Sequence, residues 1–198
     1  MANRTYLFAT DLIPRHANSG TLRKLVGLSE CNYEIPFTYA LLVAGSPELC
    51  LSNIWQFRTE QGAPSHPLAL AAPFSVGLQR ARDFYAMLTQ PTARSVFHEA
   101  LSFLDRPENQ HPYLLLELGE YLSMFDDEDP PEGKLHVKAQ AFHSMLQGDP
   151  MDSIRKVASE LNALPPDDPV AVKQKTIERL GPCVWSNVLY HSPNERGA

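Results

Sequence analysis

Residues 4–10 read RTYLFAT, a run of β-branched and aromatic residues that favours a β-strand. A second run, CVWSNVLY at 183–190, alternates in a way that predicts a strand near the other end of the chain. A third, ELCLSNIWQF at 48–57, predicts a strand between them. We therefore expect a small sheet formed by strands near both termini.

Most of the remaining chain has the spacing of amphipathic helices. Phe74, Leu78, Ala81, Tyr85 and Leu88 follow one another at intervals of four and three residues, on one helical face. About six or seven helices are expected on this basis, over 37–45, 74–88, 91–104, 114–125, 135–146, 150–161 and 169–180. A short helix near 22–26 and a loop over 58–72 complete the expectation. The predicted class is α+β and predominantly helical; the alternative is an all-α bundle with irregular terminal segments.

Two helix starts are marked clearly. Asp149-Pro150 and Asp168-Pro169 each place a carboxylate before a proline at the expected first helical position. The carboxylate can accept hydrogen bonds from the unpaired N–H groups of the first turn. Proline costs nothing there, because it has no N–H to leave unpaired. We expect a helix to begin at each site.

Length and composition indicate one globular domain over residues 1–198. The chain is 43% hydrophobic and 20% charged, which is close to the globular average and sufficient for a core. No signal peptide is recognisable, and no window approaches 18 apolar residues. The three cysteines, Cys31, Cys50 and Cys183, are odd in number and far apart, which fits buried, reduced thiols better than a disulfide framework. These features predict a cytoplasmic protein without a membrane span.

The negative charge is concentrated in one segment. The net charge is −6, yet residues 107–133 hold eight acidic and no basic side chains, and the flanking regions are nearly neutral. Such a field repels phosphate backbones, so we expect no nucleic-acid binding. It would attract a protein with a basic face. The alternative is a solvated loop between two helices, ending before Pro130-Pro131.

Known catalytic and cofactor motifs are absent from the sequence. It lacks the glycine-rich phosphate-binding patterns, H-E-x-x-H, C-x-x-C and G-x-S-x-G, so we predict no catalytic residues and no cofactor. His136 and His143 lie two turns apart on one predicted helix, and a polar helix face explains them better than a metal site. Glu117 and Glu120 are expected to face solvent from another helix, and the acidic run lacks the order of an EF-hand.

Three stretches carry a resemblance to a known family. They are MANRTYLF at 1–8, the segment from Gly27 to Pro36, and the Trp-Ser-Asn-x-Leu-Tyr element at 185–190. They resemble an uncharacterised family of small bacterial cytoplasmic proteins that begin Met-Ala-Asn-Arg-Ser/Thr-Tyr-Leu. The resemblance implies an accessory or immunity-type protein, of the kind encoded beside toxins, and assigns no catalytic residue.

Three classes of function remain open at the level of sequence. The first is a non-enzymatic immunity or antitoxin-like protein that neutralises a cytoplasm-acting toxin by direct binding. The second is an enzyme whose site is assembled from distant residues, such as Cys31 with a histidine. The third is a scaffold or regulatory protein. For the first, the expected partner-binding residues are Glu117, Glu120, Asp126, Asp127, Glu128 and Asp129.

Overall fold

The computed structural model describes residues 3–15, 24–54, 67–124 and 132–190. Within these ranges the chain forms six β-strands and seven α-helices, which confirms the predicted α+β class and shows that the all-α alternative is wrong. In chain order they are β1 (Arg4–Thr10), β2 (Leu25–Asn32), α1 (Phe37–Val43), β3 (Glu48–Cys50), β4 (Ala69–Pro73), α2 (Phe74–Met87), α3 (Pro91–Leu104), β5 (Tyr113–Glu117), α4 (Gly119–Ser123), α5 (Glu132–Leu146), α6 (Met151–Asn162), α7 (Pro169–Leu180) and β6 (Val184–Trp185).

The strands form one sheet in the order β3-β4-β5-β1-β2-β6, and every neighbouring pair is antiparallel. Strands near both termini belong to this sheet, as predicted, but three strands from the middle of the chain complete it. β1 lies at its interior, between β5 and β2. The sheet thus depends on pairings between residues more than 100 positions apart, such as Tyr6 with Glu117.

One face of the sheet packs against the helices. Alternate residues of a strand point to opposite faces, and on β1 the pair Leu7 and Ala9 belongs to the main apolar core. Leu70 of β4 and Leu114 and Leu116 of β5 join the same core, together with buried side chains of α1, α2, α3, α6 and α7. We call this the helix-covered face.

The opposite face packs mainly against chain segments that are not helical, with the short helix α4 at one end of β1. Tyr6 and Phe8 of β1, with Leu115 of β5, form a second apolar cluster there. It is completed by residues next to the strands, Leu189 after β6 and Ile13 after β1. We call this the loop-covered face, and it carries the polar cluster described below.

At both predicted helix starts, the aspartate before the proline accepts a backbone hydrogen bond, as expected. Asp168 caps α7, its carboxylate accepting the N–H of Ala171 at 2.9 Å, and Pro169 is the first helical residue. Asp149 likewise accepts the N–H of Met151 at 3.0 Å, although α6 begins at Met151, one residue later than predicted. Both carboxylates therefore satisfy an otherwise unpaired donor of a first turn.

Residues 25–32 form a strand, so the helix predicted near 22–26 is wrong over its described part. β2 pairs with β1 on one side and β6 on the other, and these partners from both ends of the chain override the local spacing of Leu22, Leu25 and Val26 that predicts a helix. Gly27 leaves room for the side chain of Leu189. A Cβ there would lie 2.8 Å from Cγ of Leu189, which covers the strand.

Three further predictions need correction. The predicted loop over 58–72 contains the start of β4, because pairing with β5 overrides the weak strand preference of its alanines. The strand predicted over 48–57 is shorter: β3 ends at Cys50, 51–54 are irregular, and 55–57 lie outside the described residues. The strand predicted over 183–190 is reduced to β6, since the Ser186 hydroxyl accepts the N–H of Val188 and turns the chain.

None of the helices in the described ranges is both long and apolar enough to cross a membrane.

Candidate functional site

The predicted partner-binding acids are not all at the surface. Glu117 is the last residue of β5 and is 2% exposed, so the prediction that it faces solvent from a helix is wrong. The apolar run 114–118 satisfies helical spacing, and it equally fits a strand that is buried on both faces. Glu117 therefore cannot contact a partner in this fold.

Glu120 does lie on a helix, α4, but its carboxylate is engaged within the protein. Its Oε2 accepts the backbone N–H of Arg4 at 3.2 Å and lies 3.5 Å from the hydroxyl of Tyr6. Both contacts attach α4 to β1. The remaining predicted residues, Asp126, Asp127, Glu128 and Asp129, lie outside the described residues, and their role stays a prediction.

The two glutamates belong to a polar cluster on the loop-covered face. The register places Glu117 and Glu30 directly opposite Tyr6, one on each neighbouring strand. Arg4, two residues before Tyr6 on β1, lies with its Nε 4.0 Å from Oε1 of Glu30. We call these five residues the carboxylate cluster: Arg4, Tyr6, Glu30, Glu117 and Glu120. It sets three carboxyl groups against one guanidinium.

Burial has the largest effect on the pKa of Glu117. It raises the pKa of this carboxyl from an ordinary value of 4.5 to about 7. Hydrogen bonds from the hydroxyl of Ser52 and the N–H groups of Asn53 and Ile54 act in the opposite direction and offset the rise only in part. The bond from Asn53 to Oε1 is 2.6 Å long. Glu117 therefore exchanges a proton near neutral pH, and its charge bears on the chain segment that follows β3.

Tyr6 remains a hydrogen-bond donor in this cluster. Burial raises the pKa of its phenol, and the nearby carboxylate of Glu120 raises it further, while Arg4 acts to lower it. The gap that Tyr6, Ser52 and Glu117 help to line is too narrow for a water molecule. The gap therefore leaves no room for a ligand beside Glu117.

Sequence reasoning missed Arg4, Tyr6 and Glu30 as members of a polar site. The predicted strand 4–10 contained one usable signal, because period-two alternation puts Arg4 and Tyr6 on the same face. Glu30 gave no such signal, since its position depends on β2, which sequence did not predict.

The described histidines make contacts within the protein. On α5, a ring nitrogen of His136 lies 2.9 Å from the carbonyl oxygen of Pro67, and one of His143 lies 2.9 Å from that of Pro47. These bonds tie α5 to the segments that precede β4 and β3. His98 contacts Ser102 at 3.1 Å on its own helix. In the described ranges no group of three His, Cys, Asp or Glu side chains could hold a metal ion.

A small pocket lies between α3, α7 and the start of β6. It has a volume of about 140 Å³, and its lining includes Phe97, Lys173, Cys183 and Trp185. Cys31, the nucleophile named in the enzyme hypothesis, is buried nearby, and its thiol contacts Oε1 of Glu34 at 3.6 Å. The four described histidines, His98, His111, His136 and His143, contact other groups, and His16, His66 and His191 lie outside the described residues.

Fold and site together define an α+β protein with a helix-covered antiparallel sheet and, on its second face, a carboxylate cluster around the buried Glu117. The chain belongs to the family described as a domain of unknown function (DUF7822), whose model matches residues 11–165. No curated protein and no solved structure matches the chain. The matched region excludes β1, α7 and β6, so segments outside it supply an interior strand and one edge of the sheet.

Proposed function

We propose that this protein is a non-enzymatic immunity or antitoxin-like protein, which neutralises a cytoplasm-acting toxin by direct protein–protein binding. The observation that carries the proposal is the charge distribution. Residues 107–133 hold eight acidic side chains and no basic one, in a chain whose net charge is −6. A bacterial cytoplasmic protein of this kind would present that segment to a basic cleft or face of the toxin.

The positions of Glu117 and Glu120 in the fold reduce the set of candidate interface residues. Glu117 is buried, and the partly exposed carboxylate of Glu120 already bonds to β1, so the other four predicted acids are the better candidates for the interface. The acidic run 126–129 remains, in the connection between α4 and α5. Both flanking helices are anchored, since Leu122 and Leu135 belong to the main core, and Nζ of Lys138 lies 3.3 Å from the carbonyl oxygen of Leu122. The two helices on either side of the run are thus held together.

The four carboxylates of this run would act mainly on the rate at which the two proteins associate. Long-range attraction raises the association rate with a basic partner, by roughly 10- to 1,000-fold where charges are well placed, and salt suppresses the effect. Pairs formed at the rim of an interface add little to affinity. The acidic run would therefore govern how fast the toxin is captured more than how long it is held.

Co-purification tests the function itself. The protein encoded immediately upstream would be co-expressed with this chain, and we expect a stable complex that restores growth to cells producing that neighbour. A neighbour that is toxic but neither binds nor is neutralised would contradict the proposal.

Binding kinetics then test the acidic run. We expect neutralisation of all four carboxylates in the run, as D126N, D127N, E128Q and D129N, to slow association at least tenfold at low salt and to flatten its salt dependence. A matched control neutralises four exposed acids elsewhere, with the same change in net charge: D83N, E99Q, D152N and E178Q. Equal rates for both variants would remove the acidic run from the mechanism while leaving the binding function in place.

A further inference from the structure

Cys31 and Cys183 lie opposite each other at the pairing of β2 with β6. The register joins Ser29 to Trp185 and Glu30 to Val184, and its next position brings Cys31 across from Cys183. In the other direction the same register holds, because the N–H of Ser186 donates to the carbonyl of Leu28 at 3.1 Å. Two cysteines 152 positions apart in sequence are thus neighbours across two strands.

The backbone geometry at this position suits a disulfide. Hydrogen-bonded and non-hydrogen-bonded pairs alternate along an antiparallel ladder. The bond between Ser186 and Leu28 marks a hydrogen-bonded pair, so Cys31 and Cys183 form a non-hydrogen-bonded one. The N–H of Cys183 accordingly donates to Gly181 instead of to β2. In such pairs the Cα atoms are about 4.5 Å apart, within the range of about 4.4–6.8 Å that a disulfide spans.

Both side chains are on the helix-covered face. Cys31 belongs to the main core, and Cys183 packs against that core beside Trp185. Hydrogen bonding with Cys31 and then burial raise the pKa of the Cys183 thiol, which places the two thiols next to each other. The hydroxyls of Tyr39 and Ser29 hold the strands together here. Tyr39 donates to Ser29 at 2.7 Å, and Ser29 donates to the carbonyl of Val184 at 2.8 Å.

The two thiols differ in their access to solvent. Cys31 is buried, at 2% exposure, whereas Cys183 is half-buried and lines the pocket of about 140 Å³ between α3 and α7. A molecule of the size of hydrogen peroxide fits such a pocket, and a bulky thiol reagent does not. An oxidant of this size therefore reaches Cys183 first, with Cys31 behind it.

We propose that Cys31 and Cys183 form a dithiol–disulfide couple, in which oxidation by hydrogen peroxide links β2 to β6. The sulfur of Cys183 attacks the peroxide oxygen, the O–O bond breaks, and Cys183 sulfenic acid and one water form. The sulfur of Cys31 then attacks the Cys183 sulfur, displacing hydroxide, which leaves as a second water with the Cys31 proton. Two thiols lose two electrons in total, and one peroxide is reduced to two waters.

The bond would fasten the last described strand to the body of the sheet. β6 has two residues and lies outside the region matched by the DUF7822 model, whereas Cys31 lies inside it. Because the thiolate is the reactive form and Cys183 stays protonated at neutral pH, oxidation is slow compared with that of a free cysteine.

Peroxide treatment of the full-length folded protein tests the couple. We expect the number of thiols that titrate after the treated protein is denatured to fall from three to one. Peptide mapping should find Cys31 joined to Cys183 within one chain. The melting temperature should rise by about 5–10 °C, since the bond closes a long loop, and a reducing agent should reverse the change.

Cysteine variants provide the controls. Cys50 is as buried as Cys31, but it packs on the loop-covered face, so Cys50→Ser should still lose two thiols and gain the same melting shift. Cys183→Ser should gain neither the link nor the shift. Retention of three thiols, a link between two chains, or an unlinked Cys183 sulfinic acid in the wild-type protein would each overturn the proposal, whether or not a variant folds.

Discussion

The two faces of the sheet are built from alternate residues of the same strands, yet they differ in chemistry. On the helix-covered face β1 and β5 contribute Leu7, Ala9, Leu114 and Leu116, which pack among apolar helix side chains. On the loop-covered face the same strands contribute Tyr6 and Glu117 to the carboxylate cluster beside a smaller apolar cluster. Stability is therefore concentrated on one face, and proton binding on the other.

This difference implies that the two faces respond differently to pH. Apolar packing has no titrating group, so its contribution is constant between pH 5 and 8. A buried carboxyl with a pKa of about 7 changes its charge within the same interval. Variants on each face can separate these two behaviours.

The largest effect is expected for Phe84→Ala in α2. Phe84 is fully buried, and its ring lies 4.9 Å from that of Phe97 in an edge-to-face arrangement. Removing it leaves a cavity and should lower the free energy of unfolding by about 3–5 kcal/mol. Urea titrations at pH 5 and pH 8 should give the same loss. Val76→Ala, at a half-exposed site on the same helix, should stay within about 0.5 kcal/mol of wild type. If the loss of unfolding free energy for Phe84→Ala varied with pH, it would contradict the expected difference between the two faces.

The next effect concerns Glu117→Gln on the loop-covered face. The folded pKa of about 7 lies above the ordinary value of 4.5, so the folded state binds more protons than the unfolded state between these values. Wild-type stability should therefore fall as pH rises through this window. Glutamine carries no charge to desolvate, and by pH 8 the wild type should have lost about 3 kcal/mol relative to the variant, compared with pH 4.

Urea titrations from pH 4 to pH 8 measure this difference. Glu160→Gln is the control, because the pKa of exposed Glu160 is lowered by its hydrogen bond with Arg179, which puts its titration below the window. That variant should run parallel to wild type from pH 5 to pH 8. Parallel curves for Glu117→Gln as well would mean that Glu117 is charged throughout.

The smallest effect is a difference between two alanine substitutions. At Gly77 in α2, a Cβ would collide with the carbonyl oxygen of Leu42, a backbone atom of the packed helix α1. At Gly27 in β2, it would meet the side chain of Leu189, which can shift. Both substitutions overpack, but we expect Gly77→Ala to be more costly by about 1–2 kcal/mol in thermal unfolding. Equal costs would show that the loop-covered face is packed as rigidly as the helical one.

Sequence predicted the parts of the fold that have a local cause. The periodic apolar residues of α2 and the Asp168-Pro169 cap of α7 act within one or two turns, and both were predicted correctly. The helical spacing of residues 114–125 predicts a helix that includes Glu117. What makes 113–117 a strand is pairing with β1, from the other end of the chain.

Sequence did not predict the carboxylate cluster, because the cluster also depends on contacts between distant segments of the chain. The acidic segment was visible as composition, but composition counts Glu117 and exposed Glu108 alike. Their difference arises from burial under the segment after β3, where the Asn53 N–H contacts Glu117. The apposition of Cys31 and Cys183 likewise depends on the register of β2 and β6, which no local pattern encodes.

The edges of the sheet have a consequence for self-association. A sheet grows when a strand of another molecule pairs with an exposed edge, and long, flat edges invite this. Here the edge strands are the shortest of the six, with three residues in β3 and two in β6, whereas the interior strands have five to eight. An incoming strand would find only two or three residues of regular edge to pair with. The arrangement discourages polymerisation through the sheet, even in a crowded solution.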